Sequence, residues 1–226
     1  MVKLICLEVK TKTKTKIFGK FVIKNLIKGE GITLGNVLRR TLLSNILGTS
    51  FIGIKISGIN HEFESTSLFK EDIIEILLNT KQIVIKGVVK KSMIGKIDFQ
   101  GPGIVNAGDI KMPLGLEIVD PTQYITTITS DKLIRFEFLI QSGFGYTLEK
   151  NFKKSKFLVI DAIYMPVYKV HYLVQEFLSK QLYKSENLII EIETNGSKTP
   201  ITTLYEAFKQ LSSIFNLLQK VTLTKS

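Results

Sequence analysis

The stretch "TLGNVLRRTLLSNILG", Thr33 to Gly48, decides how the rest of the chain must be arranged. It reads as a helix running to about Leu47, with Thr33 as N-cap and Gly48 as the stop. On a wheel of about 100° per residue, Asn36, Arg40 and Ser44 form one polar strip roughly 80° wide. Leu34, Val37, Leu38, Leu42, Leu43, Ile46 and Leu47 fill most of the remainder, and Arg39 falls among them. A surface helix buries one stripe. This one must bury two or more. One side can lie on the chain's own sheet. The other needs a second layer of the same chain or another molecule.

The last element has a similar surplus. "TPITTLYEAFKQLSSIFNLLQKV" opens with Thr199 as N-cap and Pro200 at the first helical position. Ile201, Leu204, Phe208, Leu211, Phe215 and Leu218 repeat at alternating steps of three and four, a coiled-coil type seam that Ile214 and Leu217 widen. Two such helices per protomer can build a four-helix seam across a two-fold axis. Burying each Leu or Phe is worth roughly 1.5–3 kcal/mol, so six seam residues outweigh a surface ion pair. The alternative is an intramolecular two-layer core. Arg40, on the polar strip, suits a carboxylate or carbonyls of a partner protein. Arg39 suits either such a contact or an ion pair within the chain.

Between these helices the pattern is mostly strand. Residues 3–28 read as two strands with a turn near Gly19, and "TKTKTK" is a Lys/Thr ladder fit for a charged edge, a hairpin rim or a phosphate-contacting arm. "KGEGITLGN" has the wrong spacing for a dinucleotide fingerprint and reads as a tight turn into the helix. "FIGIKISGINHEF" alternates at Ile52, Ile54 and Ile56. "LFKEDIIEILLNTKQ" reads as a helix with Glu71 and Asp72 in its first turn and Ile73, Ile74, Leu77 and Leu78 as its apolar face. Short strands punctuated by Gly and Pro follow from Ile83 to Leu148, a β-rich insertion. "FLVIDAIYMPVYKVHYLV" reads as two strands about Pro166, and "NLIIEIETNGS" as a strand closing at an Asn-Gly turn.

Composition narrows the function classes. The 226 residues carry a net charge of +11, with Lys supplying 28 of 31 positive charges along the whole sequence. That balance fits either a solvated surface with the residue usage of an A/T-rich gene or a nucleic-acid partner. Where Lys serves almost everywhere, a retained Arg points to a need for a planar, multi-donor guanidinium. One cysteine, Cys6, excludes an internal disulfide, and with two histidines it cannot complete a Cys/His zinc site. No apolar run approaches the roughly 20 residues of a transmembrane helix. The N-terminus lacks the features of a signal or transit peptide, so the protein is expected to work in the compartment where it is made. His61 and His171 have no catalytic motif around them. Glu71, Asp72 and Glu75 read as a solvated helix face, and no acidic cluster suits metal-assisted nucleotidyl transfer. No catalytic residue, metal site or cofactor is expected in this chain.

In order, "GEGITLGNVLRRTLLSNILG", "HEFESTSLFKEDIIEILLN", "GFGYTLEK", "LVIDAIYMPVYKVHY" and "LIIEIETNGSKTP" resemble the N-terminal assembly domain of the alpha subunit of bacterial-type DNA-directed RNA polymerase. The resemblance implies an α+β fold. Residues 1–48 and 167–226 would form a dimerisation subdomain, a mixed sheet with two interface helices, interrupted by a β-rich inserted subdomain over 49–166. It implies a homodimeric scaffold on which one copy binds the beta subunit and the other beta prime, with catalysis in those large subunits. By motif match, Arg40, Leu43, His61, Glu71 and Asp72 would face beta, and Lys81, Ile160 and Val167 beta prime. Leu34, Leu38, Leu42, Leu204, Phe208, Leu211, Phe215 and Leu218 would form the dimer interface. The chain stops at Ser226, where family members usually continue into a DNA- and activator-contacting domain, so promoter DNA is expected as a partner only through the assembled enzyme. The divergent, Lys/Ile-rich composition suggests a plastid gene and the plastid stroma, with a bacterial cytoplasm as the alternative. A free-standing basic nucleic-acid-binding dimer is the competing function.

Overall fold

The structure, a computed structural model, describes residues 2–64, 66–148, 157–178 and 184–220. In chain order the elements are β1 (Lys3–Thr13), β2 (Lys16–Ile27), α1 (Glu30–Ser44), β3 (Leu47–Ile56), α2 (Ile73–Lys81), β4 (Ile85–Lys86), β5 (Met93–Gln100), β6 (Gly103–Asn106), β7 (Glu117–Ile118), β8 (Tyr124–Ile128), β9 (Leu133–Phe144), β10 (Tyr146–Thr147), β11 (Leu158–Val159), β12 (Ala162–Ile163), β13 (Val167–Leu178), β14 (Lys184–Thr194) and α3 (Pro200–Gln219). The fold is α+β and divides into two units, one of residues 1–46 with 167–226, the other of 47–166. Leu47 and Gly48, expected in the first unit, belong to the second because they open β3 and pair with Phe144 and Gly143.

The first unit is an antiparallel sheet of order β1-β2-β14-β13 with α1 and α3 on one face. The hairpin turns at Lys14 and Thr15, not near Gly19, so "TKTKTK" wraps the tip and the free edge strand β1. Gly19 lies inside β2, where a Cβ would stand 2.5 Å from Pro200 Cβ. Glycine there lets the start of α3 rest on the sheet.

α1 begins at Glu30, three residues before the expected Thr33 cap. Gly29, at φ 92°, ends the preceding turn and has no side chain with which to cap the helix. The cap comes from far along the chain. Glu186 of β14, 3 % exposed, accepts the amides of Gly29 at 2.8 Å and Gly31 at 2.9 Å. A buried carboxylate so placed satisfies two orphan donors and meets the positive end of the helix dipole. Gly31, Gly35, Leu38 and Leu42 then form one buried stripe. A Cβ on Gly35 would meet the Tyr172 ring at 2.5 Å, so glycine sets how closely α1 lies on β13. The helix ends at Ser44 rather than Leu47. The Asn45 carbonyl, left without a helical partner, accepts Gln210 Nε2 of α3 at 2.6 Å.

α3 starts as expected, with Thr199 accepting the Thr202 amide and Pro200 in the first turn. Leu38, Leu42, Ile46, Leu188, Ile190 and Leu204 are among the residues that close the core between helices and sheet.

The second unit holds the sheet β11-β3-β9-β5, three two-stranded ladders and α2. β3 is buried on both faces, and a bulge between Phe51 and Gly53 breaks the expected common face of Ile52, Ile54 and Ile56. Ile54 and Ile56 join Phe51, Phe136 and Phe138 in the main core, whereas Ile52 packs with Ala162 and Tyr164. In α2 the buried positions are Ile73, Ile76, Leu77 and Thr80. The expected Ile74 and Leu78 point to solvent, because the stripe follows the i, i+3, i+4, i+7 pattern from Ile73. Asp72 is the N-cap, and Glu71 lies before the helix.

Candidate functional site

The residues expected at the dimer seam separate into two groups. Leu38 and Leu42, each 1 % exposed, and Leu204 are core side chains of the first unit, so they cannot form the surface of an interface. The sheet takes Leu38 and Leu42 because α1 lies so close on its glycines. Phe208 and Leu211 are half-buried at the edge of the same core. Leu34 and the outer half of α3 remain open. Phe215 is 59 % and Leu218 62 % exposed, and Ile214 and Leu217 are similar. Along the first half of α3, Leu4, Cys6, Phe21, Ile201, Tyr205 and Phe208 line an apolar groove of about 260 Å³.

Arg40 projects from the exposed side of α1, and Leu43, three residues on, is half-buried. Arg39 is exposed too, although the wheel placed it among apolar residues. Among the described residues neither arginine makes an ion pair, which leaves both guanidinium forks free.

The remaining candidates lie in the second unit, except Val167. His61 and Asp72 are exposed. Glu71 is committed within the unit. It accepts the Tyr124 hydroxyl, the Thr126 hydroxyl at 2.8 Å and the Thr127 amide at 2.8 Å. Burial pushes its carboxyl up, and these hydrogen bonds outweigh it and bring the pKa below the ordinary value. It therefore fastens the segment before α2 to β8. Lys81 is 3.4 Å from Asp161 and lies over the Tyr146 ring, whose hydroxyl donates to Asp161 at 2.9 Å. Ile160 and Val167, expected on the same surface, are 3 % and 0 % exposed and belong to the cores of the second and first units. Alternation explains Ile160. In "VIDAIYMPV" the side chain of Asp161 reaches Lys81 while that of Ile160 turns inward.

Sequence reasoning missed Glu186, Asp161 and Tyr146. Each depends on a partner distant in sequence, so no local spacing marks it. Among the described residues no group of three or more His, Cys, Asp or Glu side chains could hold a metal ion, and no helix is long and apolar enough to cross a membrane.

Charge is divided unevenly. The first unit's residues include 17 Lys and Arg against 7 Asp and Glu, net +10, and the second unit's 14 against 13, net +1.

The second unit identifies the class of protein. Residues 54–165, nearly its whole length, match the RNA polymerase Rpb3/RpoA insert domain. The match extends beyond this unit to nearly the whole of this chain. The sequence is 46 % identical to the DNA-directed RNA polymerase subunit alpha of Emiliania huxleyi, covering 99 % of this chain and 74 % of that one. It is 44 % identical to the corresponding subunit of Cyanidium caldarium (99 % and 73 %) and 39 % identical to that of Trichodesmium erythraeum (96 % and 70 %). The chain belongs to the family of DNA-directed RNA polymerase alpha subunits. Several of its relatives come from plastid-bearing algae.

Proposed function

We propose that this polymerase subunit is a homodimeric, non-catalytic scaffold that gathers the beta and beta-prime subunits. The observation that carries the dimer is the outer half of α3. Ile214, Phe215, Leu217 and Leu218 stand exposed on one helix, the first half of which lines an apolar groove, and Leu34 of α1 is exposed as well. Burying such side chains is worth roughly 1.5–3 kcal/mol each. A second copy meeting the same surface through a two-fold axis covers them all with one contact type. The seam is thus Leu34, Phe208, Leu211, Phe215 and Leu218, with Leu38, Leu42 and Leu204 supporting it from within.

Docking of beta falls to Arg40, whose free guanidinium suits a bidentate carboxylate, with Leu43, His61 and Asp72 as further contacts. Lys81, held by Asp161 and Tyr146, is the beta-prime candidate. The reading leaves nucleotidyl transfer to the large subunits, with no cofactor in this chain. A plastid-encoded gene and the plastid stroma fit both the algal relatives and the Lys/Ile-rich composition.

The test is native mass of Phe215→Glu/Leu218→Glu beside wild type at micromolar concentration. Both residues are exposed, so the variant keeps its own core. The expected result is a dimer for wild type and a folded monomer for the variant. A wild-type monomer, or a variant that stays dimeric, overturns the seam.

A further inference from the structure

The register of the first unit's sheet gathers lysines that are scattered in sequence. α1 and α3 cover one face. On the other, Lys3 stands opposite Lys24. An apolar row, Ile5–Val22–Ile189–Leu173, comes next. It is followed by Glu8–Lys20–Glu191–His171 and by Lys10–Phe18–Glu193–Lys169. Lys12 and Lys16 extend the last row towards the hairpin tip, where Lys12 pairs with Glu193 at 3.0 Å. Among the described residues seven lysines share this face with three glutamates.

Each glutamate is already engaged by one lysine: Glu8 by Lys10, Glu193 by Lys12 and Glu191 by Lys20 at 2.8 Å. Lys3, Lys16, Lys24 and Lys169, with Lys14 at the turn, are exposed and make no ion pair among the described residues. Five ammonium groups outside any ion pair, of which Lys16 and Lys169 also feel the charge of Glu193, therefore crown a surface with an excess of positive charge.

We propose that this open sheet face binds the phosphate backbone of duplex DNA directly and without reading sequence. The donors are lysines, point charges suited to phosphate rather than to bidentate readout. Lys16 and Lys24 lie eight residues apart along β2, about 26 Å at ~3.3 Å per residue, the length of roughly eight base pairs at 3.4 Å per step. An acidic protein partner would call for buried apolar anchors. Of the apolar row, Val22 is already covered and only Leu173, at 50 %, is half exposed. The face lies opposite the helices of the proposed dimer seam, so the inference stands whether or not the chain dimerises.

The test uses the full chain and a fluorescent 30-base-pair duplex, titrated by anisotropy between 50 and 200 mM salt. Wild type is expected to bind with log affinity falling steeply against log salt, by about 0.9 per phosphate neutralised. Lys16→Glu/Lys24→Glu/Lys169→Glu is expected to bind at least tenfold more weakly and to lose about three units of that slope, at about 0.9 per contact. Lys90→Glu/Lys91→Glu/Lys132→Glu places the same charge change on exposed lysines of the second unit and is expected to bind as wild type. Circular dichroism confirms that each variant is folded. No binding by wild type overturns the proposal. So does equal weakening by both triple variants, which would mean net charge alone. Binding of poly-glutamate in preference to DNA, with the same dependence on Lys16, Lys24 and Lys169, also overturns it and assigns the face to an acidic protein.

Discussion

Glu186 Oε2 accepts the Gly31 amide at 2.9 Å, joining strand β14 to the first turn of α1 across 155 positions of sequence. Its other oxygen holds Gly29 at 2.8 Å. One buried carboxylate thus places the helix that carries Arg40 and sets the angle at which the chain enters it. Glu186→Ala leaves the buried Gly31 amide without its partner and opens the part-buried Gly29 amide to water. The expected cost is about 2–3 kcal/mol, read as a lower urea midpoint at unchanged slope.

Gly35 and Tyr172 define the closest approach of α1 to the sheet. Gly35→Ala should destabilise the chain by about 1–3 kcal/mol as an overpacked contact, despite the better helix propensity of alanine. The Tyr172 hydroxyl donates to Asn36 at 2.8 Å, so the ring is not free to swing aside. Tyr172→Leu in the Gly35→Ala background should restore part of the loss. A plain stabilisation by Gly35→Ala would show that the helix can lift from the sheet without cost.

Glu71 links the approach to α2 with β8. Its folded-state pKa lies below the ordinary 4.5, so the unfolded chain takes up this proton first as pH falls. The stability it supplies is present above about pH 4.5 and is lost as pH drops through the lower folded value. Glu71→Gln should be less stable than wild type near pH 7, and the gap should close towards pH 3. A gap constant from pH 7 to 3 would mean that the charge of Glu71 contributes nothing.

Leu38 and Phe215 belong to the two groups into which the expected seam divides. Leu38→Ala should cost about 2–5 kcal/mol in chain stability by leaving a cavity. Phe215→Ala should leave the core unchanged and weaken self-association instead, seen as a rise in the dimer dissociation constant in sedimentation. Concentration-independent unfolding of wild type would argue against the linkage of stability to dimerisation.

Arg40 is the sharpest test of subunit docking. A tagged chain purified gently from its native host should bring two very large polymerase subunits with it, and Arg40→Ala should deplete them. Arg40→Lys should not restore them fully, because an ammonium lacks the planar fork. Full recovery by lysine would reduce the contact to simple charge.

Much of the architecture was legible in the sequence because it rests on local chemistry. Periodicity marked α2, α3 and the strands, Thr199 and Pro200 marked the start of α3, and the mid-chain run of short strands marked a β-rich insertion. The excess of apolar residues on the helix of Arg40 led to the expectation of cover on more than one side, whereas the chain itself buries one stripe of it. The motif sequence also marked the family.

What sequence alone left open depended on contacts between distant residues. Helix patterns mark apolar positions but not which of them the chain itself will cover. Close packing over Gly31 and Gly35 took Leu38 and Leu42 into the core, while the outer half of α3 ran past the sheet and stayed open. The cap on α1 was invisible because its donor and acceptor lie 155 positions apart. Ile160 and Val167 carried the right neighbours but turned inward, since strand alternation assigns faces only once the partner strands are in place. The basic charge read along the chain is scattered. Antiparallel register brought Lys3, Lys16, Lys24 and Lys169 onto one face, because pairing, not sequence position, decides which side chains share a surface.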